Sequence, residues 1–187
     1  MTDAPLKILA LDGSPGGSGR TRIALDAVLQ GAAQAGATVE ALELAGGAPP
    51  VERLLAADAF VLGSPIYRAS YATPLKAFLD GCPRGMWGET EAPLTGRGVA
   101  LVATGATWHH YLALDDLRNV LAGFFAAHPL SPGLYVPGEG FVDPEDGGPR
   151  RLADAFAQAA TAQGAALVAL ARAVAAAPEL RAITPQA

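Results

Sequence analysis

The sequence predicts a doubly wound, three-layer α/β domain on a five-stranded parallel sheet, and three observations predict it. Short, continuously apolar runs recur along the chain, as strands buried on both faces require. Each run stops at a cluster of Gly, Ser, Pro, Thr or Asp, the residues of turns. Apolar residues then return at helical spacing. Strand and helix alternate five times, a pattern that favours parallel strands joined by right-handed crossovers.

Residues 7–11 form the first apolar run, which ends at Asp12-Gly13. The turn-rich stretch GSPGGSGRT follows, and residues 23–35 then carry Ile23, Leu25, Ala27, Val28 and Ala32 at helical spacing, with Gly36 as the stop. A second strand is expected over 38–44, a loop over 45–50 and a short helix over 51–56. The third strand covers 59–62 and the third helix 74–80, with Thr73 as N-cap and Pro74 in the first turn. A Gly- and Trp-bearing loop over 84–96 leads to the fourth strand, 98–103, and to a Leu- and Phe-rich helix over 109–125. The fifth strand is expected at 133–136, a Pro/Gly/acidic loop at 137–149 and a long last helix at 150–176. Residues 1–177 thus form one domain, and 178–187 are expected to be a flexible tail.

Composition narrows the function. At 187 residues, 51% hydrophobic and 17% charged, the chain can bury a full core. A net charge of −5 argues against nucleic acid as a partner. The apolar stretch 165–177 is interrupted by Arg172 and is too short to span a bilayer, so no membrane role is expected. The N-terminus lacks a basic segment before an apolar run, and the lone Cys82 allows no internal disulfide. Both suit a cytoplasmic protein.

In doubly wound sheets, ligands bind outside the carboxyl ends of the strands near the topological switch point. Three loops therefore matter. The first, residues 13–21, has four glycines directly before a helix, so backbone amides and the helix N-terminus can meet an anion. Ser14, Ser18 and Thr21 add hydroxyls and Arg20 a cation. The stretch fits neither the G-x-x-x-x-G-K-[ST] phosphate loop nor the dinucleotide G-x-G-x-x-G, which leaves a site for a monophosphate. The second, GSPIYRASYAT, could wall a planar ring with Tyr67 and Tyr71, or those rings could pack beneath the loop. The third, TGATWHH, repeats small residues, a hydroxyl and one large ring, and could cup the other edge of the ligand. No His, Cys or carboxylate set has metal-ligand spacing, Cys82 reads as an apolar filler, and Asp115-Asp116 as a solvated or interface feature.

Taken in order, LDGSP with its hydroxyl-rich loop, GSPIYRASYATPLKAFLD and ATGATWHHYLALDDLRNVL resemble the NADPH-dependent FMN reductases of the flavodoxin-like fold. The likeness is nearest to the reductase component of two-component alkanesulfonate monooxygenases and covers roughly residues 6–130. The resemblance implies FMN and NADPH or NADH as cofactor and reductant, with a flavin-dependent monooxygenase, a quinone or a similar acceptor downstream. It implies that Ser14, Ser18, Arg20 and Thr21 bind the FMN phosphate. Pro65, Ile66 and Tyr67 would line the isoalloxazine, and Thr104, Gly105, Ala106 and Thr107 would contact its pyrimidine side. Arg68, Arg84 and Arg97 are candidates for a 2′-phosphate. An FMN-binding electron carrier that does not oxidise NAD(P)H is the alternative.

Three departures from the family pattern stand out. Gly16-Gly17 replaces an arginine after Ser-Pro, and Ala106 replaces the second glycine of the third loop. The fourth helix lacks an extra residue near Leu114–Leu117, so a regular helix without a π-bulge is expected there. That helix is apolar on more than one side. Either the last helix covers its outer side, or a second subunit does; the resemblance favours a homodimer or homotetramer.

Overall fold

The structure, a computed structural model, describes residues 4–17 and 19–185. In chain order its elements are β1 (Lys7–Asp12), α1 (Arg20–Gln34), β2 (Thr38–Glu43), α2 (Val51–Leu55), β3 (Ala59–Tyr67), β4 (Ser70–Tyr71), α3 (Thr73–Gly81) and β5 (Gly98–Thr104). There follow α4 (Ala113–Asn119), β6 (His128–Pro129), β7 (Leu134–Val136), β8 (Phe141–Val142), β9 (Arg151–Leu152), α5 (Asp154–Ala176) and α6 (Pro178–Arg181). Central β1 pairs in parallel with β2 on one side and β3 on the other, and β5 follows β3. The order β2-β1-β3-β5 reverses direction between β1 and β3, which places the switch point at their carboxyl ends.

Side chains alternate across this sheet. Leu9, Leu11, Phe60, Leu62, Val99 and Leu101 join one core with Leu75, Phe78, Leu114 and Leu121 of the helices on that face. Ile8, Ala10, Ala59, Val61, Ala100 and Val102 join the other with Leu25 and Val28 of α1 and Leu167 and Val168 of α5. On that second face α1 and α5 touch backbone to backbone. A Cβ on Gly164 would lie 1.9 Å from Val28 O, and one on Gly31 would lie 2.0 Å from Thr161 O. Helix α5 is long and apolar enough to cross a membrane by length and composition, but its Leu167, Val168, Ala171 and Val174 are buried within the molecule.

The sheet has seven strands rather than five. Two short pieces, β6 and β7, both parallel to β5, share the fifth position. The other addition lies in the stretch expected to be a loop after residue 62. There β3 continues to Tyr67 and β4 folds back on it, pairing Ile66 with Tyr71 and Tyr67 with Ser70. The two turn residues, Arg68 (φ 53) and Ala69 (φ 66), are both left-handed, the backbone a tight hairpin needs to match strand twist. Asn or Gly usually supplies that geometry, so Arg-Ala gave no hairpin signal.

Other boundaries also move. Ala72, not Thr73, is the N-cap of α3, and its amide donates to Ser64 Oγ (2.8 Å). The last helix starts at Asp154 because Arg151–Leu152 pairs with Phe141–Val142 as a hairpin. Where a tail from residue 178 was expected, Pro178–Arg181 forms one helical turn, and His128 Nε2 lies 2.9 Å from Leu180 O.

The fourth helix is not regular. Residues Val120–Phe124 form a π-turn, with Phe125 N–H donating to Val120 O (3.2 Å). Ala113, Leu117, Leu121 and Phe125, spaced by four, are all buried. Steps of four overrun an α-turn by about 40° each, so a regular helix would carry the last of them away from the core. A wider turn winds that drift back.

Candidate functional site

Three strand ends frame one cleft of about 460 Å³ at the switch point. Its first wall begins where β1 stops. Gly13 N–H donates to Gly63 O (2.7 Å), and a Cβ at Gly13 would lie 2.9 Å from that oxygen and 2.7 Å from Leu75 Cβ. Only glycine lets the chain cross β3 this closely. The loop then enters α1 through Gly19, an N-cap without a side chain. The amides of Arg20, Thr21 and Arg22 therefore have no helical acceptor, and no acidic side chain sits in that first turn. Gly16, Gly17, Gly19, Arg20 and Thr21 line the cleft here, so free N–H groups and the positive end of the helix dipole face it. Arg20 is exposed, makes no ion pair among the described residues, and lies 5.9 Å from the centre of the Phe141 ring. Ser18 lies outside the described residues.

Ser14 and Thr21 reach the cleft, but their hydroxyls are engaged inward. Ser14 Oγ donates to Asp12 Oδ1 (2.5 Å), and the Ser14 amide donates to the same oxygen (2.9 Å). Thr21 Oγ1 and Thr104 Oγ1 share a buried hydrogen bond of 2.8 Å that ties the start of α1 to the end of β5. Asp12 is wholly buried, and burial pushes its pKa up, against the two Ser14 hydrogen bonds and the charge of Arg22.

The second wall is the end of β3. Pro65, Ile66 and Tyr67 line the cleft, with Pro65 in register beside Thr104. Tyr71 does not; it packs against the core that holds Ile66 and lines a different groove. Ser64 Oγ holds the hairpin base, donating to Pro65 O (2.8 Å) while accepting the Ala72 amide.

Thr104, Gly105 and Ala106 complete the cleft. Gly105 N–H donates to Val136 O (3.1 Å) and Ala106 O accepts from Gly138 N–H (3.1 Å), so this loop is pinned to the segment after β7. Thr107 lies behind the cleft lining: its carbonyl accepts from Tyr135 Oη (2.6 Å), and its hydroxyl is 3.0 Å from His109 Nδ1. Trp108, expected to cup a ligand, turns away. Its ring lies 5.8 Å from that of Tyr135 and 6.1 Å from that of Phe156, and Nε1–H donates to Glu139 Oε1 (2.7 Å). It clamps the loop instead.

A second groove of about 610 Å³ lies between α3 and the π-turn, lined by Tyr71, Leu79, Cys82, Trp87 and Phe124 among others. Arg84 is buried there between aromatic rings, 3.4 Å from the centre of Phe124 and 5.0 Å from that of Trp87. Arg97 pairs with Asp58 (4.0 Å) where β3 and β5 begin, at the far end of the sheet. None of the three arginines considered for a 2′-phosphate lines the cleft; Arg68 sits at the hairpin tip, next in sequence to Tyr67, which does. Burial and then the charge of Glu89 push the Cys82 thiol up to about 12, as befits an inert filler. Among the described residues no group of His, Cys, Asp and Glu could hold a metal ion.

The sequence reading missed Asp12 and Tyr135, which hold the first and third loops. A carboxylate directly after a strand was a visible signal for the first. Nothing local marked the second.

Known proteins are similar to this chain in sequence and in fold. The model of the family described as NADPH-dependent FMN reductase matches residues 6–140. The NADH-dependent FMN reductase SfnF of Pseudomonas putida is 39% identical over 85 residues, 46% of this chain and 42% of that protein. The FMN reductase (NADPH) of Escherichia coli K12 is 30% identical over 92 residues, 49% of this chain and 44% of that one. The matching stretch is thus under half the length of these relatives. The fold is shared with the NADH:FMN oxidoreductase EmoB in its apo form, at TM-score 0.67 and 23% identity over 94% of each chain. It is shared too with a WrbA-like flavodoxin of Agrobacterium tumefaciens, at TM-score 0.69 and 19% identity over 91% of this chain and 99% of that one.

Proposed function

The chain belongs to the NADPH-dependent FMN reductase family, and on that premise we propose that it transfers hydride from NADPH or NADH to FMN held in the switch-point cleft. One observation carries the proposal. Three loops far apart in sequence converge on a cleft whose first wall is an uncapped helix start beside Arg20. Amides without a side-chain cap and a guanidinium without an ion-pair partner among the described residues fit a phosphate ester. The cleft volume also lies within the roughly 300–1,000 Å³ of small-molecule sites.

When bound, FMN supplies the hydride-accepting ring. The chain supplies grip and orientation. In this reading Arg20, Ser18 and the amides of the first turn of α1 hold the phosphate, with Ser14 beneath it. Thr21 positions this turn by its bond to Thr104. Pro65, Ile66 and Tyr67 wall the ring. Gly105 has already given its N–H to Val136 O, which leaves the Ala106 amide to donate to the ring edge and Thr107 to hold the loop from behind. The reduced flavin, in this reading, serves a flavin-dependent monooxygenase or a similar acceptor in the cytoplasm.

The protein should also be a homodimer or homotetramer. The last helix packs on α1, across the sheet from the fourth helix, and so cannot cover it. Trp87 (80%) and Phe124 (48%) remain exposed in the second groove, and Leu112 (56%) just before the fourth helix. Light scattering that returns the mass of a single chain would overturn this part.

Mixing the protein with FMN and NADPH or NADH, and following the visible flavin band, tests the activity. Bleaching without oxygen and continuous NAD(P)H consumption in air are expected. Arg20→Ala should weaken FMN binding without unfolding the chain. FMN that binds but stays oxidised would favour the second reading, an electron carrier, with which the flavodoxin-like fold is compatible.

A further inference from the structure

Asp12 is a carboxylate where an anion site has no obvious use for one. On β1 it follows Ile8 and Ala10 on the face covered by α1, directly behind the phosphate-facing loop. It is wholly buried. Oδ1 accepts both donors of Ser14, while Oδ2 has no hydrogen-bond partner among the described residues. The charges around it are few. Arg22 faces it from α1 but is bonded to Asp26 (2.7 Å) and reaches Glu43 only at 4.0 Å. Glu43, its register partner on β2, adds negative charge, and β3 contributes only Gly63.

Two consequences follow for a phosphate in the cleft. The Ser14 hydroxyl cannot donate to it while its hydrogen points to Asp12. In addition, a second anion on the far side of Ser14 makes the Asp12 charge more costly in a poorly solvated place. Both are relieved by one proton on Asp12, because a protonated carboxyl becomes a donor. Burial already pushes the Asp12 pKa upward before any ligand arrives.

Resting on the FMN reading above, we propose that Asp12 is a proton-linked positioning residue. It takes up one proton from solvent as the phosphate binds, keeps it while donating a hydrogen bond through it to Ser14 Oγ, and so turns the Ser14 hydroxyl hydrogen toward the ligand.

The test is a titration of FMN by fluorescence quenching, from about pH 5.5 to 8.5, on the wild type and Asp12→Asn. The asparagine keeps an acceptor for Ser14 and cannot titrate. The ratio of wild-type to variant Kd cancels the ionisation of the phosphate itself. It should rise with pH by up to about tenfold per unit, the limit for one linked proton. Riboflavin, which lacks the phosphate, should give a flat ratio. Calorimetry of the wild type at about pH 8, where the free phosphate is already a dianion, in buffers of different ionisation enthalpy should show uptake of up to about one proton per FMN, a readout that needs no variant.

FMN binding with a flat ratio and no proton uptake would overturn the proposal and leave the FMN reading standing. A variant that binds FMN more weakly than the wild type at every pH would also overturn it, since Asp12 would then be needed as a charge. If FMN binds neither protein, the FMN reading falls and this proposal with it.

Discussion

Replacing Gly105 by alanine tests how the third loop is held against the cleft. The backbone there is not left-handed, so any cost comes from space alone. The new Cβ would lie 1.9 Å from Tyr135 Oη and 2.9 Å from Cζ, whereas ordinary contact begins near 3.4 Å. Tyr135 cannot simply swing out, because it is buried in the core beneath the loop. Retreat breaks its 2.6 Å bond to Thr107 O, a loss of about 0.5–1.5 kcal/mol net. Overpacking adds about 1–3 kcal/mol. We expect a destabilisation of about 2–4 kcal/mol, read as a lower urea midpoint at constant slope, and weaker FMN binding. Tyr135→Phe alone removes the hydroxyl and should cost about 1 kcal/mol. The double variant has neither the bond nor the worst clash, so it should be less destabilised than the two single changes added together. Additivity within about 0.5 kcal/mol would show that Gly105 and Tyr135 do not meet as described, and would refute the reasoning.

Gly164→Ala should destabilise by about 1–3 kcal/mol in urea unfolding although alanine favours helix, because its Cβ would meet the backbone of α1. Cys82 should resist thiol reagents near neutral pH in the folded protein and react in urea, since burial holds its thiol up at about 12. Asp12→Asn should raise thermal stability at neutral pH. With the folded-state pKa raised, the stability tied to Asp12 is fully present only below the usual value of 3.8 and is lost as pH rises through the folded value. The gain should therefore shrink as pH falls and vanish in acid.

Much was legible from local pattern. Apolar runs placed β1, β2, β3 and β5, and their alternation with helical spacing pointed to a parallel, doubly wound sheet, whose order the structure supplies. The glycines before α1 located the turn that opens onto the cleft, because a glycine-rich helix start is a local property. The π-turn has a local signal too, the four-residue spacing of Ala113, Leu117, Leu121 and Phe125, which outweighs the one-residue shortening that predicts a regular helix. The hairpin at Arg68 and Ala69 was not, since its strained turn is imposed by pairing rather than by residue type.

The sequence by itself determined the main strands and helices, and hence that three small-residue loops would share one edge of the sheet. Periodicity and turn chemistry act over a few residues, and a parallel sheet brings successive strand ends together whatever lies between. Only the tertiary structure decided what each loop side chain does there. Ser14 is turned to Asp12, Thr21 is locked to Thr104, Tyr135 holds Thr107, and Trp108 is drawn away to Phe156 and Glu139. A hydroxyl or indole takes whichever partner packing brings within about 3 Å, and partners 83 or 31 residues away leave no trace in the local pattern.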